Sequence, residues 1–265
     1  MTPGQAVVLA LIQALTEFLP ISSSGHLILA PRLLGWTDQG LEFDIATNTG
    51  TLLAIVAYFR RDLAEITRGG LASLGGGASA PAGRMAWALA LGTLPAAVAG
   101  LLVKDLVASQ ARRPGLIAAT AIVYGLLLLL ADRLGSKRRP IEAVGLREGL
   151  LVGCAQALAL VPGTSRSGVT MTAGLALGLT REAAARFAFL LAVPIGLLVG
   201  FKQLVDLARG VPLGVEGPTL ALGIAVSALA GYAVIAALLA FVRRFSLAIF
   251  AVYRLLLGVA LLLWF

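Results

Sequence analysis

Charged residues, cysteine and histidine are all scarce in this chain of 265 residues. Only 13% of its residues are charged and 59% are hydrophobic, whereas a soluble domain averages roughly 25% charged and under about 50% apolar residues. A water-soluble fold has no means of burying so much apolar surface, so we expect lipid to be its solvent. The single cysteine, Cys154, excludes an intramolecular disulfide and a cysteine-cluster metal site. The single histidine, His26, excludes a site built on a pair of histidines.

The charge that is present is mostly basic, and the net charge is +8. The basic residues lie between hydrophobic segments, as in Arg60–Arg61, 137–139 and Arg243–Arg244. This placement is typical of topological anchors that contact anionic lipid headgroups. We therefore expect membrane lipids, and no nucleic acid, as partners.

The hydrophobic segments predict an all-α integral membrane protein with six crossing helices and two re-entrant helical hairpins. The crossing segments are 44–59, 85–103, 115–131, 184–201, 217–241 and 247–265. The hairpins pair 5–19 with 27–34 and 147–161 with 169–179, because these halves are too short to span about 30 Å of hydrocarbon comfortably. Apart from a glycine-rich loop at 69–83, the linkers are short, so residues 1–265 are expected to form a single membrane domain.

The two hairpins are related to each other at a spacing of 143 residues. Six of the 13 positions in 13–25 are identical to their counterparts, including Gln13-Ala-Leu and Gln156-Ala-Leu. Three crossing segments follow each hairpin, and an odd number of crossings inverts the second unit relative to the first. We therefore predict an inverted-topology repeat with units of about 1–133 and 145–265.

The positive charges favour an orientation that places Arg60, Arg61 and Arg68 in the cytoplasm. The first hairpin then enters the bilayer from outside and the second from the cytoplasm, so that their polar loops meet near the midplane. For the Ser23 hydroxyl and the Arg166 guanidinium this predicts a separation under about 8 Å, roughly one phosphate's width.

Glu17 lies in an otherwise apolar helix, with Gln13 one turn earlier on the same face. A carboxylate at membrane depth costs on the order of 3 kcal/mol. We expect an intramembrane arginine or a bound cation to compensate for this cost. The alternative is that Glu17 lies near the interface and is hydrated there.

Two polar loops interrupt the hairpins and carry the candidate chemistry. In the first, Ser22 to Ser24 precede His26, and an imidazole beside three hydroxyls favours a catalytic role, although serines also satisfy broken helix ends. In the second, Arg166 presents a fork of donors suited to phosphate, and an ion pair with Glu17 is compatible with that role. The candidate phosphate-binding residues are Arg166, Ser22, Ser24, Ser165, Ser167 and Thr170. This inventory suits phosphoryl transfer.

The stretches Gln13-Ala-Leu-Thr-Glu17-Phe-Leu-Pro-Ile-Ser-Ser-Ser-Gly-His26 and Pro162-Gly-Thr-Ser-Arg-Ser-Gly168 resemble the two signature motifs of the undecaprenyl-diphosphate phosphatase family of the bacitracin-resistance type. Segments 43–50 and 187–194 also resemble landmarks of that family. The resemblance implies a multi-pass enzyme of the bacterial inner membrane with its site open to the periplasm. It implies hydrolysis of undecaprenyl diphosphate to undecaprenyl phosphate and inorganic phosphate, which recycles the lipid carrier for peptidoglycan synthesis and confers bacitracin resistance.

The resemblance assigns the roles of the family's motif residues to the matching positions of this chain. The resemblance gives Ser23 or His26 as the nucleophile, Arg166 as the phosphate-binding residue, and Glu17 with Gln13 as ligands of a divalent cation, Mg²⁺ or Ca²⁺. Many members of the family have glutamate where this chain has Gln13, so one anionic ligand fewer is present here. Between the two nucleophiles we favour Ser23, with His26 as its base.

A transporter is the competing hypothesis, because inverted repeats with broken helices are also a transporter architecture. A polyprenyl-phosphate flippase would use the same arginine. A homodimer is a further hypothesis that the sequence does not test.

Overall fold

The computed structural model describes residues 1–75, 81–110, 113–209 and 214–264, and every regular element in these ranges is helical. Two short 3₁₀ helices, Ile141–Ala143 and Leu158–Leu160, accompany the α-helices. The α-helices are α1 (Pro3–Phe18), α2 (Ser23–Leu34), α3 (Gly40–Tyr58), α4 (Arg60–Leu74), α5 (Pro81–Gln110), α6 (Pro114–Leu134), α7 (Leu146–Ala157), α8 (Arg166–Ala176), α9 (Arg181–Ala208), α10 (Gly217–Arg244) and α11 (Ala248–Trp264). The predicted all-helical class is confirmed.

Four of these helices are long and apolar enough to cross a bilayer, namely α5, α6, α9 and α10. This property identifies a multi-pass membrane protein. The other two predicted crossings also form helices, but α3 carries Glu42 and Asp44 in its first two turns, and α11 has 17 residues. Since a crossing helix needs about 20 apolar residues, crossing by α3 and α11 stays a prediction.

Helix α4 corrects the loop predicted at 69–83. Residues up to Leu74 continue α4, and α5 begins at Pro81; residues 76–80 lie outside the described ranges. The glycines that suggested a loop instead permit a close helix contact. A Cβ atom on Gly69 would lie 2.7 Å from the Cβ atom of Ala82 in α5, closer than side chains tolerate.

Close backbone contacts through glycine also join α5 to α7. A Cβ atom on Gly153 of α7 would lie 2.2 Å from the carbonyl oxygen of Gly92, and one on Gly149 would lie 2.4 Å from that of Ala88. In lipid, apolar side chains gain little by leaving the solvent, so helices associate through such small-residue contacts. This contact fixes the start of the second broken pair, α7 and α8.

The end of α1 is held by an aromatic cluster in the protein core. Phe18 packs edge-on against Phe189 of α9, with ring centroids 5.4 Å apart, and Phe59 lies 6.3 Å from the same ring. Phe18 is only 1% exposed. Because Glu17 precedes Phe18 directly, the cluster anchors the backbone that carries the Glu17 carboxylate.

Candidate active site

The two polar loops end with the same unusual backbone conformation. Ser22 has φ 76° and Ser165 has φ 71°, and these two serines stand 143 residues apart. A non-glycine residue with positive φ is uncommon and costs free energy unless its surroundings hold it. The next residue in each case begins a helix: Ser23 begins α2 and Arg166 begins α8. Ser23 and Arg166 therefore occupy corresponding positions at two helix N-termini.

The carboxylate of Glu17 is the centre of the site. Its Oε2 atom accepts hydrogen bonds from Ser23 Oγ at 2.6 Å and from Gln13 Nε2 at 3.2 Å. Its Oε1 atom accepts a short hydrogen bond from Arg166 Nη2. The Ser23 hydroxyl and the Arg166 guanidinium are therefore joined through the Glu17 carboxylate by two hydrogen bonds. This path is shorter than the predicted separation of about 8 Å between the two groups.

Arg166 supplies the compensation that burial of Glu17 requires. The Glu17 side chain is 9% exposed and pairs with the guanidinium, so it does not lie hydrated at an interface. Arg166 is itself 24% exposed, and this hydrogen bond uses one of its nitrogens. Arg166 also lines a small cavity of about 40 Å³ together with Asn48 and Thr49 of α3. The guanidinium thus has donors left for an anion.

Among the described residues His26 forms hydrogen bonds with Ser22 and Tyr253 and none with Ser23, so its role as the base of Ser23 stays a prediction. Its Nδ1 atom lies 2.7 Å from the carbonyl oxygen of Ser22, and its Nε2 atom lies 2.6 Å from the hydroxyl of Tyr253. The imidazole stacks on the Tyr253 ring at a centroid distance of 5.7 Å. The reason is helical geometry, since the ring turns back onto the carbonyl four residues earlier and faces α11. The Ser23 hydroxyl donates its hydrogen bond to Glu17 instead.

The other hydroxyls predicted to bind phosphate hold the loops in place. Ser167 Oγ donates to the main-chain oxygen of Glu17 at 2.9 Å, and Ser165 Oγ accepts from the Gly168 amide at 3.1 Å. Thr170 Oγ1 donates to the carbonyl of Arg166 at 2.7 Å. In the first loop, Ser22 Oγ and Ser24 Oγ lie 3.3 Å apart. Phosphate binding by these hydroxyls stays a prediction.

Arg254 of α11 was not among the residues predicted for the site. It is 1% exposed, and its guanidinium donates to main-chain oxygens of both polar loops, to Gly163 at 3.0 Å and to Pro20 at 3.4 Å. It also donates to Thr120 and Ala121 of α6. An arginine inside an apolar segment is a functional signal in any membrane chain, so the sequence did carry a sign of it. Tyr253, its neighbour, had no such sign.

The described residues include no group of three or more histidine, cysteine, aspartate or glutamate side chains that could hold a metal ion. Glu17 and Gln13 offer carboxylate and amide oxygens, which Mg²⁺ and Ca²⁺ prefer. Both Glu17 oxygens accept hydrogen bonds here, and Gln13 turns its amide nitrogen toward them. A cation at these residues would therefore replace at least one of these donors and obtain its remaining ligands from water and a bound diphosphate.

Comparison with known proteins places the chain in a family. The sequence model described as "Bacitracin resistance protein BacA" matches residues 6–260. The chain is 53% identical to "Undecaprenyl-diphosphatase" of Magnetococcus marinus, over 97% of this chain and 96% of that protein. It is 50% identical to "Undecaprenyl-diphosphatase" of Nitrosococcus oceani, over 96% and 95%, and 47% identical to "Undecaprenyl-diphosphatase 1" of Pseudoalteromonas translucida, over 98% and 97%. The chain therefore belongs to the bacitracin resistance protein BacA family.

Proposed function

We propose that this chain is a membrane enzyme that hydrolyses undecaprenyl diphosphate to undecaprenyl phosphate and inorganic phosphate. Relatives about 50% identical over nearly the whole chain bear the name of that activity. The structural observation that carries the proposal is the meeting of Ser23 and Arg166 on the two oxygens of the Glu17 carboxylate. The product is the lipid carrier of peptidoglycan synthesis, so the activity recycles the carrier and opposes bacitracin.

Arg166 binds the terminal phosphate in this proposal. Its partial exposure and its place beside the small cavity support this role. Its planar fork of donors matches phosphate oxygens, and the N-terminus of α8 adds a positive dipole end. The pairing with Glu17 keeps the guanidinium in place before substrate enters and offsets the cost of burying either charge alone.

Ser23 attacks the terminal phosphorus, and Glu17 takes its proton over the 2.6 Å hydrogen bond. The bond from Ser23 Oγ to phosphorus forms while the bond from phosphorus to the bridging oxygen breaks. Undecaprenyl phosphate leaves with that electron pair. Water then attacks the phosphorus of the phosphoserine, the bond from phosphorus to Ser23 Oγ breaks, and the proton on Glu17 passes to the departing Ser23 oxygen. The water oxygen and both of its protons leave as part of inorganic phosphate. Ser23 and Glu17 carry out the proton transfers of this order, and a bound cation would supply charge neutralisation.

His26 is the alternative nucleophile. Its contact with Tyr253 Oη at 2.6 Å occupies Nε2, and Nδ1 faces the Ser22 carbonyl. Attack by His26 therefore requires Tyr253 to move, whereas attack by Ser23 does not. Rapid quenching with a substrate labelled at the terminal phosphate separates the two, since phosphoserine survives acid and phosphohistidine does not.

A divalent cation, Mg²⁺ or Ca²⁺, belongs to the proposal, with Glu17 and Gln13 as its protein ligands. When bound, it neutralises charge on the diphosphate oxygens. Chelator should then abolish phosphate release, and added Mg²⁺ should restore it. Full activity in chelator would remove the cation from the proposal.

The proposed architecture is an inverted-topology repeat of about 1–133 and 145–265, with two re-entrant hairpins and six crossings. The matched backbone at Ser22 and Ser165 supports it. So does the corresponding packing, in which α1 lies on α10 and α7 lies on α5. We place the enzyme in the bacterial inner membrane with its site open to the periplasm. A homodimer stays a hypothesis.

The test is phosphate release from a polyprenyl diphosphate by purified protein in detergent micelles. Arg166→Lys keeps the charge but loses the fork, and we expect turnover to fall at least about a hundredfold. The matched control is Arg186→Lys, an arginine of similar exposure that pairs with Asp62 at 2.6 Å. Micelles have no second compartment, so a flippase would release no phosphate. Equal activity of the two variants would remove the phosphate-binding role of Arg166.

A further inference from the structure

A basic groove runs along helix α4 and shares no residue with the Glu17 site. Its volume is about 890 Å³. The residues that line it include Arg60, Arg61, Glu65, Arg68, Ala72 and, from α5, Ala82. Three guanidinium groups and one carboxylate give the groove a net positive charge, while the alanines leave room between the two helices.

The arginines of the groove have donors to offer. Within the described ranges, Arg61 and Arg68 make no hydrogen bond or ion pair, and Arg60 donates only to the carbonyl of Ala57, at 3.0 Å. All three are exposed. Arg181 and Arg186, by contrast, pair with carboxylates. The groove therefore concentrates cationic donors that no acidic side chain in the described structure neutralises by an ion pair.

The two helices that line the groove, α4 and α5, are packed closely against each other. Gly69 of α4 and Gly83 of α5 bring the two backbones together, and a Cβ atom on Gly69 would lie 2.8 Å from the Gly83 nitrogen. Further along, Trp87 Nε1 donates to Ser73 Oγ at 2.8 Å. These contacts hold α4 against α5, so the backbone positions that carry the arginines are set before any ligand binds.

An apolar edge lies next to the cationic face of α4. Because successive residues of an α-helix are turned by about 100°, Leu63 and Ile66 point to the core and pack against it. Leu71 and Leu74 lie on another edge and are 65% and 68% exposed. An exposed apolar edge beside a basic face is typical of a helix that lies in the membrane interface.

We propose that the α4 groove binds the headgroup of an anionic phospholipid, such as phosphatidylglycerol. Arg61 and Arg68 bind the phosphate oxygens through their forked donors. Leu71 and Leu74 contact the acyl chains of the lipid. A soluble anion would use the arginines alone, whereas the combination of cationic face and apolar edge fits a lipid.

The test measures thermal unfolding of the purified protein in neutral detergent against the concentration of phosphatidylglycerol. Phosphatidylcholine and inorganic phosphate serve as the other probes. The variant is Arg61→Gln with Arg68→Gln. The matched control is Arg133→Gln with Arg138→Gln, an equal charge change at two exposed arginines outside the groove. All four side chains are exposed, so both variants should fold.

We expect phosphatidylglycerol to raise the unfolding temperature and phosphatidylcholine to leave it unchanged. Inorganic phosphate can bind at Arg166 as the product of the proposed reaction, so we expect its effect to be the same in the groove variant and in the unmodified protein. The groove variant should need about 30-fold more phosphatidylglycerol for half of the effect, at about fivefold for each arginine. The control should need about the same amount as the unmodified protein. Stabilisation by inorganic phosphate that is lost in the groove variant, with no effect of phosphatidylglycerol, would replace the lipid by a soluble anion. An equal loss in both variants, or no loss in the groove variant, would overturn the site.

Discussion

Replacing Arg254 by leucine should destabilise the protein strongly and inactivate it, because one buried guanidinium joins both polar loops. The loop carbonyls of Pro20 and Gly163 would lose their Arg254 donor. A buried carbonyl without a donor costs about 1–3 kcal/mol, so the two together cost about 2–6 kcal/mol. At about 2–4 °C per kcal/mol for a chain of this size, the unfolding temperature in micelles should fall by about 4–24 °C.

The control is Arg243→Leu, at a residue with a side chain 59% exposed and one ion pair, to Glu182. We expect it to change the unfolding temperature little. The unfolding temperature of Arg254→Lys should lie between those of Arg254→Leu and Arg243→Leu, since a single ammonium nitrogen does not span carbonyls on two loops. If Arg254→Leu unfolds within about 2 °C of the unmodified protein and still releases phosphate, Arg254 does not hold the two loops together.

Three further changes test separate contacts of the structure. Glu17→Gln keeps the shape of the side chain but removes the proton acceptor of Ser23, so turnover should fall at least about a hundredfold; a fall under about threefold would exclude Glu17 as the base. Tyr253→Phe keeps the ring stack but removes the 2.6 Å contact with His26 Nε2, so we expect kcat to stay unchanged if Ser23 attacks, and a rise in kcat would favour attack by His26 instead. Gly153→Val should lower the unfolding temperature, because its Cβ atom would meet a carbonyl of α5 at 2.2 Å, whereas Gly115→Val, with no atom within 4 Å, should not; equal behaviour of the two would contradict the α5–α7 contact.

The meeting of Glu17 with Arg166 was predictable from the sequence because the physics of burial demands it. A carboxylate in an apolar helix needs a cation, and the related loop 143 residues away contains an arginine. The hydrogen bond from Ser23 to Glu17 was harder to predict from the sequence. Sequence proximity suggested His26 as the partner of Ser23, but side-chain direction at a helix start depends on backbone conformation, here the positive φ of Ser22.

The contacts that α11 makes could not be predicted from the sequence alone. Tyr253 and His26 are 227 positions apart, and no periodicity connects them. Arg254 was visible as a charge in an apolar segment, although its acceptors, four main-chain carbonyls, have no signature in the sequence. The end of helix α4 was not predicted for another reason. Its glycines are equally typical of a loop and of a close helix contact, and the partner helix decides between the two.

The most direct test of the central claim is to crosslink Ser23→Cys with Arg166→Cys, in a background in which Cys154 is replaced by alanine. The claim is that the two loops meet on the Glu17 carboxylate, so a reagent of about 8 Å should join these cysteines within one chain. Asp62→Cys with Arg186→Cys is the positive control, since those side chains are 2.6 Å apart. We expect a crosslink in both pairs. A crosslink in the control pair alone would mean that Ser23 and Arg166 do not share a site.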